Sequence, residues 1–227
     1  MIKAFGVRNY TCFQDWMELD CTLNDQVPDR FHNGNHITPI LCLKGANASG
    51  KTNAIKAIVF LKTFIKHSFT SSAETPYTID TFFNNSVPTE FYIEFITKDK
   101  KEYLYELQLD GERVYYEKLT INKKLVLHRD MQELKNIKLF NDIKIPFNSN
   151  VSVISAAFYY PETQDAVKSI HSFFDDIFTN VTRFGFTEYP DMLADRFRAS
   201  LFSKLYKNEN EAFIFMQTFL KRFDLGI

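Results

Sequence analysis

Glycine is scarce in this chain, with seven in 227 residues, and there is a single tryptophan. No low-complexity tract or internal repeat appears. Three cysteines, Cys12, Cys21 and Cys42, are odd in number and lack CxxC spacing, which excludes a zinc ribbon or a thioredoxin-like dithiol. They read as reduced thiols of a cytosolic protein. A formal charge of −1 leaves no basic excess for a domain whose main task is to neutralise a phosphate backbone. "KDKK" at 98–101 and "NKK" at 122–124 read as solvated turns. The N-terminus has no apolar core of secretory type, and no apolar run approaches the ~18 residues needed to cross a bilayer. The expectation is a cytoplasmic protein with no membrane segment.

What is abundant is apolar and aromatic. Hydrophobic residues make up 45% of the chain, with 24 Phe and 11 Tyr. That is ample for a buried core and suits a β-rich lobe.

Hydrophobic periodicity divides the chain. Residues 2–23 alternate loosely and predict two short strands joined near Cys12 to Asp15, followed by a polar loop over 24–36. "ITPILCLKG" is nearly continuous in apolar residues and ends on glycine, which predicts a buried central strand. From Lys51 to about Phe69 the period changes: Ala54, Ile58, Leu61 and Ile65 form the stripe of an amphipathic helix. From Phe91 to Leu127 the period is two, with breaks at "KDKK", "DG" and "NKK", which predicts an antiparallel meander inserted after the first helix. Residues 132–150 are polar and irregular. "VSVISAAFYY" reads as a buried strand or short helix. Beyond Pro161 the pattern is helical, with a stripe of Val167, Ile170, Phe174, Ile177, Phe178 and Val181, then segments at 191–207 and 209–223.

Two of the seven glycines lie five residues apart in "LKGANASGKTN". Gly45 to Thr52 matches G-x-x-x-x-G-K-[ST], after an apolar run and before an amphipathic helix, the context that gives this motif its meaning. Gly45 and Gly50 remove side chains where backbone must wrap closely around an oxyanion. Amides of about Ala48 to Thr52, Ser49 among them, then point inward as donors, and the helix start adds its positive dipole end. Lys51 supplies the cation for the β- and γ-phosphates and for charge developing on transfer. The Thr52 hydroxyl is a hard oxygen suited to Mg²⁺. The expected cofactors are ATP and Mg²⁺.

The stretches "IKAFGVRNYTCFQDWMELD", "LCLKGANASGKTNAIKAI", "VPTEFYIEF", "YLYELQLDGERVYYEKL" and "LVLHRD" together resemble the opening half of bacterial AAA-type ATPases of the RecF/SMC/ABC, OLD-like class. Those are found in abortive-infection, retron and other anti-phage defence systems. The resemblance implies that Gly45, Asn47, Gly50, Lys51 and Thr52 bind phosphate and Mg²⁺, that Asn53 lies nearby, and that Arg8 and Asn9 approach the nucleotide. The chain departs from the common "NFRSF" form at Tyr10 and Thr11. The resemblance further implies a homodimer or higher oligomer through nucleotide-bound heads and an effector partner such as a nuclease or toxin. Nucleic acid is a possible partner that the charge does not support.

The acids that hydrolysis requires have no clear place. "SFFDD", ending at Asp175 and Asp176, sits in a helical stripe rather than at the end of an apolar strand. Glu94 and Asp110 fall in or at the end of meander strands. No glycine-rich signature follows the loop, and Gln164 lies just after Pro161. "HRDMQELKN" has a kinase-like ring, but Asn136 is one residue too far from Asp130. His32 and His36 have metal-ligand spacing but lie in a loop.

The reading is therefore an α/β P-loop NTPase head of ABC/SMC type, its N-terminal half, with an inserted antiparallel β-meander and a C-terminal helical segment. The division is 1–70 for the P-loop core, 71–160 for the antiparallel lobe returning to the core, and 161–227 for helices leading to a missing C-terminal half. Hydrolysis is expected only with that half or a partner head. The alternatives are a non-hydrolysing nucleotide-binding assembly module and a small P-loop kinase.

Overall fold

The computed structural model describes residues 1–24, 26–28, 36–38, 40–71, 78–136, 138–140, 145–160, 165–179, 181–182, 185–186, 214 and 218. The helical segments read at 191–207 and 209–223 lie outside these residues apart from Ile214 and Thr218, as do His32 and Gln164.

Strand β1 (Ile2–Arg8) turns back through residues 9–16 into β2 (Met17–Asp20), with Val7 opposite Met17 and Phe5 opposite Leu19. The period-two segment forms β3 (Thr89–Ile96), β4 (Glu102–Leu109), β5 (Val114–Ile121) and β6 (Lys124–Asp130). A further strand, β7 (Glu133–Asn136), falls in the stretch read as irregular. All seven join one antiparallel sheet in the order β2-β1-β3-β4-β5-β6-β7, so the meander continues the sheet that β1 and β2 begin. The "DG" break is a turn of four residues: the Asp110 carboxylate accepts the amides of Glu112 and Arg113, each at 2.8 Å. The "HRDMQELKN" stretch is the β6–β7 hairpin, with Asp130 paired to Lys135 across it rather than placed as a catalytic base.

One face of the sheet is dry. Phe5, Val7, Phe91, Ile93, Phe95, Tyr105, Leu107 and Leu119 alternate inward and pack with helix α1 (Lys51–His67), α2 (Val153–Ala157) and α3 (Asp165–Asp175) in a single core. Helix α1 buries Ala54, Ala57, Phe60, Leu61, Phe64 and Ile65. It ends on Lys66, a cation that complements the negative end of its dipole, and His67. Rings lock the layers together: Phe60 stacks on Phe91 at 5.4 Å, and Phe95 stacks on Phe173 of α3 at 4.1 Å. Asp175 and Asp176, at the end of α3, pair with Lys66 and Lys98.

Two charges sit on the inner face, directly opposite each other on β5 and β6. Glu117 and Arg129 are both 0% exposed. Glu117 accepts the Tyr105 hydroxyl at 2.9 Å, the Ser152 hydroxyl at 2.7 Å and the Val153 amide at 2.9 Å. Arg129 donates to the carbonyls of Val151 at 2.5 Å, Met131 at 2.6 Å and Ser149 at 2.8 Å. Its guanidinium lies 4.6 Å from the Phe147 ring. The pair anchors the approach to α2 onto the sheet, and each member carries the hydrogen bonds that a buried charge requires.

The central strand expected at 37–45 does not form. Ile37 bridges to Thr22, but residues 40–46 hold no strand, and Ile40 is 80% and Leu41 46% exposed. A strand needs a neighbour to take its amides and carbonyls. No strand among the described residues runs beside 40–45.

Candidate functional site

The loop from Gly45 to Gly50 leads straight into α1, and all of it except Gly50 is open to solvent. Gly50 holds φ +89°, a left-handed conformation that a β-carbon penalises. A β-carbon there would also lie 3.0 Å from Cys12 Sγ and 3.0 Å from the Phe13 ring. At Gly45 the added atom would crowd the Ser49 hydroxyl, at 2.7 Å, with Ser49 Cβ at 3.5 Å and Lys51 Nζ at 3.9 Å in ordinary contact. Ala48 adopts φ 63°, so the chain twists left-handed twice within three residues.

The amides of Lys51, Thr52 and Asn53 have no acceptor among the described residues, since the first helical bond is Ala54 to Gly50 at 2.9 Å. No acid occupies the first turn of α1, so nothing on the helix itself neutralises its positive end. Lys51 folds back over the loop. Its ammonium donates to the carbonyls of Gly45 at 2.8 Å and Ala46 at 2.5 Å, and to the Ser49 hydroxyl at 3.2 Å. Asn47 is exposed, and Thr52 sits half-buried at the second position of the helix.

Two further segments adjoin the loop. Tyr10 and Phe13 exchange backbone hydrogen bonds, both 2.9 Å, in a two-residue hairpin whose tip is Thr11 and Cys12. Asn53 donates its side-chain amide to Cys12 Sγ at 3.2 Å. Tyr10 packs on Phe60 and Phe91, so the hairpin is fastened to α1 and to the sheet. The Thr11 amide bonds the Asp80 carbonyl at 2.6 Å, tying in the segment that leads to β3. Thr11 holds φ 49°, an outlier for a β-branched residue, and its buried hydroxyl has no partner among the described residues.

The structure brings Gly45, Asn47, Ala48, Ser49, Gly50, Lys51, Thr52 and Asn53 into one loop and helix start. Arg8 and Asn9 are engaged elsewhere. Arg8 forms an ion pair with Glu90 and lies over the Trp16 ring at 5.8 Å. Asn9, buried at φ 53°, exchanges side-chain hydrogen bonds with Asn85 at 3.0 and 2.8 Å and donates to the Val87 carbonyl at 2.6 Å. Its own carbonyl takes the Thr89 hydroxyl at 2.8 Å. This clasp sets the path of residues 80–89. Sequence reasoning placed the strand junction near Cys12 to Asp15 but missed Cys12 and Phe13 as neighbours of Gly50, because that contact joins segments nearly forty residues apart.

Chemically, the donor set fits an oxyanion chain: free amides at a helix start, one ammonium and one hydroxyl. Its fit to a cation is narrower. Thr52 offers one oxygen, and no group of three or more His, Cys, Asp or Glu among the described residues is placed to hold a metal. No helix among them is long and apolar enough to cross a membrane.

A phosphate-cradling loop between an extended segment and a helix, in a two-layer α/β fold, defines a P-loop nucleotide-binding module of ATPase type. The chain belongs to the AAA domain family described as "putative AbiEii toxin, Type IV TA system", whose model matches residues 40–191, more than half of its length. That places it among AAA-type P-loop ATPases of abortive-infection-like systems. The matched region begins at the exposed apolar run that enters the loop. No match was found among curated proteins.

Proposed function

We propose that this chain binds ATP with Mg²⁺ through Gly45 to Thr52 and forms one part of an ABC/SMC-type ATPase site. In this reading, hydrolysis requires a further segment or a partner head, and the site controls an effector in anti-phage defence. The observation that carries the proposal is the run Ile40 to Leu43. It has the composition of a strand covered on both faces, enters the phosphate loop directly, and pairs with no strand among the described residues, with Ile40 80% exposed. A strand supplied from outside the described residues would pair with it, as extended segments do in β-augmentation.

The roles of the chain's own residues follow from their chemistry. The amides at the start of α1 hold phosphate oxygens, and Lys51 leaves its carbonyls to reach the β- and γ-phosphates. The Thr52 hydroxyl would serve as a ligand to Mg²⁺, which would supply positive charge beside the phosphates. The hairpin at Cys12 and Phe13 buttresses Gly50, fixing the direction in which these donors point.

Calorimetry with MgATP, paired with a turnover assay, tests this. The chain is expected to bind MgATP, to lose binding in Lys51→Ala, and to show no turnover alone. Turnover by the chain alone, abolished in Lys51→Ala, would overturn the half-site reading. Binding with no turnover under any pairing would favour an assembly module. Amide exchange reports the strand directly: residues 40–43 exchange rapidly alone and are protected when the site is completed.

A further inference from the structure

The second face of the sheet is not covered by any helix among the described residues. An antiparallel sheet with one wet face is expected to show polar side chains there. On this face Trp16, Tyr92, Leu104 and Tyr116 stand among carboxylates, around a shallow depression of about 340 Å³ that Glu90, Glu94 and Glu106 also line. Trp16 is the only tryptophan of the chain and is 41% exposed.

The depression is lined by aromatic rings, Trp16 and Tyr92 being tilted 55° to each other. Gly6, in the middle of β1, pairs with Tyr92 across the ladder, and a β-carbon there would lie 2.1 Å from Tyr92 Cε1. The Tyr92 ring therefore lies across β1, and its hydroxyl donates to Glu18 at 2.7 Å. Glycine in a strand interior is unfavourable, and it recurs where another group must come close. Covering of a strand glycine by an aromatic ring explains the Gly6–Tyr92 contact. It does not explain why the Trp16 ring is added beside Tyr92, 5.5 Å away, and left open to water.

We propose that this face docks a basic segment of a partner protein, with an arginine or lysine side chain seated among Trp16, Tyr92, Tyr116 and the surrounding carboxylates. The face already shows what it accepts. The Arg8 guanidinium rests over the Trp16 ring at 5.8 Å while paired to Glu90, and Lys118 pairs with Glu106 at 2.7 Å. Cations held between aromatic faces and carboxylates are the local pattern. The charge is not balanced from within. Glu18, Asp20, Glu90, Glu94 and Glu106 face Lys3, Arg8 and Lys118, and neither Glu18 nor Asp20 has an ion-pair partner among the described residues. Surplus negative charge repels nucleic acid and anionic lipid and attracts a basic peptide. Trp and Tyr with adjoining charges are also the composition of energetic centres in protein interfaces. The inference is independent of the nucleotide reading.

Because Trp16 is the sole tryptophan, its emission reports this face alone. The full chain is titrated with a blocked arginine–glycine peptide, its glutamate–glycine counterpart and a single-stranded oligonucleotide. The arginine peptide is expected to give a saturable change that weakens as salt is raised, and the other two probes none. The double substitution Glu90→Gln, Glu106→Gln should weaken binding about tenfold. Leu104→Lys, which sets a positive charge in the depression without removing an ion pair, should abolish it while the circular dichroism stays native. No saturable change with the arginine peptide, an equal response to the acidic peptide or the oligonucleotide, or unaltered affinity in a folded Leu104→Lys protein would each overturn the proposal.

Discussion

The ammonium of Lys51 lies 2.8 Å from the carbonyl oxygen of Gly45, the first residue of its own loop. With Ala46 and Ser49 it has three oxygen partners, so the cation that should meet a triphosphate is satisfied by the backbone around it. A phosphate must replace those contacts, and it can do so because an anion is a stronger partner for an ammonium than a neutral carbonyl. Lys51→Ala is therefore expected to lower MgATP affinity by about two orders of magnitude, the scale of losing a charge-assisted contact. Thermal unfolding should barely shift, since the ammonium is exposed. A variant that keeps wild-type affinity would show that the loop does not hold the phosphates.

The two loop glycines are expected to differ. Gly50 combines φ +89° with a site where a β-carbon would lie 3.0 Å from Cys12 and Phe13. At Gly45 the one close approach of a β-carbon would be to the movable Ser49 hydroxyl. Gly50→Ala should destabilise by roughly 1–2 kcal/mol from its left-handed backbone alone, and should displace the Cys12–Phe13 hairpin. Gly45→Ala should be milder in chemical denaturation. The reverse order would show that the buttress is not what fixes the loop.

The buried pair of Glu117 and Arg129 should dominate single-site stability. Glu117→Ala leaves Arg129 charged in a dry core and removes the acceptor for Tyr105, Ser152 and the Val153 amide. Breaking such a pair costs about 3–5 kcal/mol, measurable as a fall in the denaturation midpoint. Because these groups fasten α2, exchange protection of residues 153–157 should fall first. A loss below ~1 kcal/mol, as for a surface pair, would contradict the burial seen here.

Much of this was legible in the sequence. The stripe of Ala54, Leu61 and Ile65 and the alternation of Phe91, Ile93 and Phe95 gave α1 and the meander, because period alone separates a helix from a half-buried strand. The phosphate loop was legible through its spacing. The run at 40–43 was not: continuous apolar sequence says that a segment suits two covered faces, not that neighbours lie beside it. Glu117 was hidden for a related reason. Its polarity masks the inward phase of β5 between Val114 and Leu119. The junction of the first two strands was legible near Cys12 to Asp15, but the contact of its tip with Gly50 was not, because it joins segments far apart in the chain.

Acid should weaken the packing of α3 through His171. Its ring is 2% exposed, stacks on Phe158 at 3.9 Å, and neither nitrogen makes a hydrogen bond of ordinary geometry. Burial pulls its pKa down from 6.5 to about 4, with the Ile154 backbone opposing, and the nearby charges of Lys66, Asp175 and His67 adding smaller effects of both signs. The unfolded ring takes up its proton near 6.5 and the native ring only near 4, so between those values the unfolded chain binds more protons. The contribution of His171 is therefore constant above neutrality, and stability is lost as pH falls across that window, by up to about 3 kcal/mol at its lower end. His67 is also lowered, mainly by burial, and contributes in the same direction. His171→Phe keeps the stacking on Phe158 and removes the titration. Its denaturation midpoint should change less between pH 7 and pH 4.5 than that of the wild type, with a residual slope from His67 and the carboxylates. Equal slopes in the two proteins would mean that the native ring is already charged, or is reached by water, and that the α3 contact is not the acid-sensitive point of the fold.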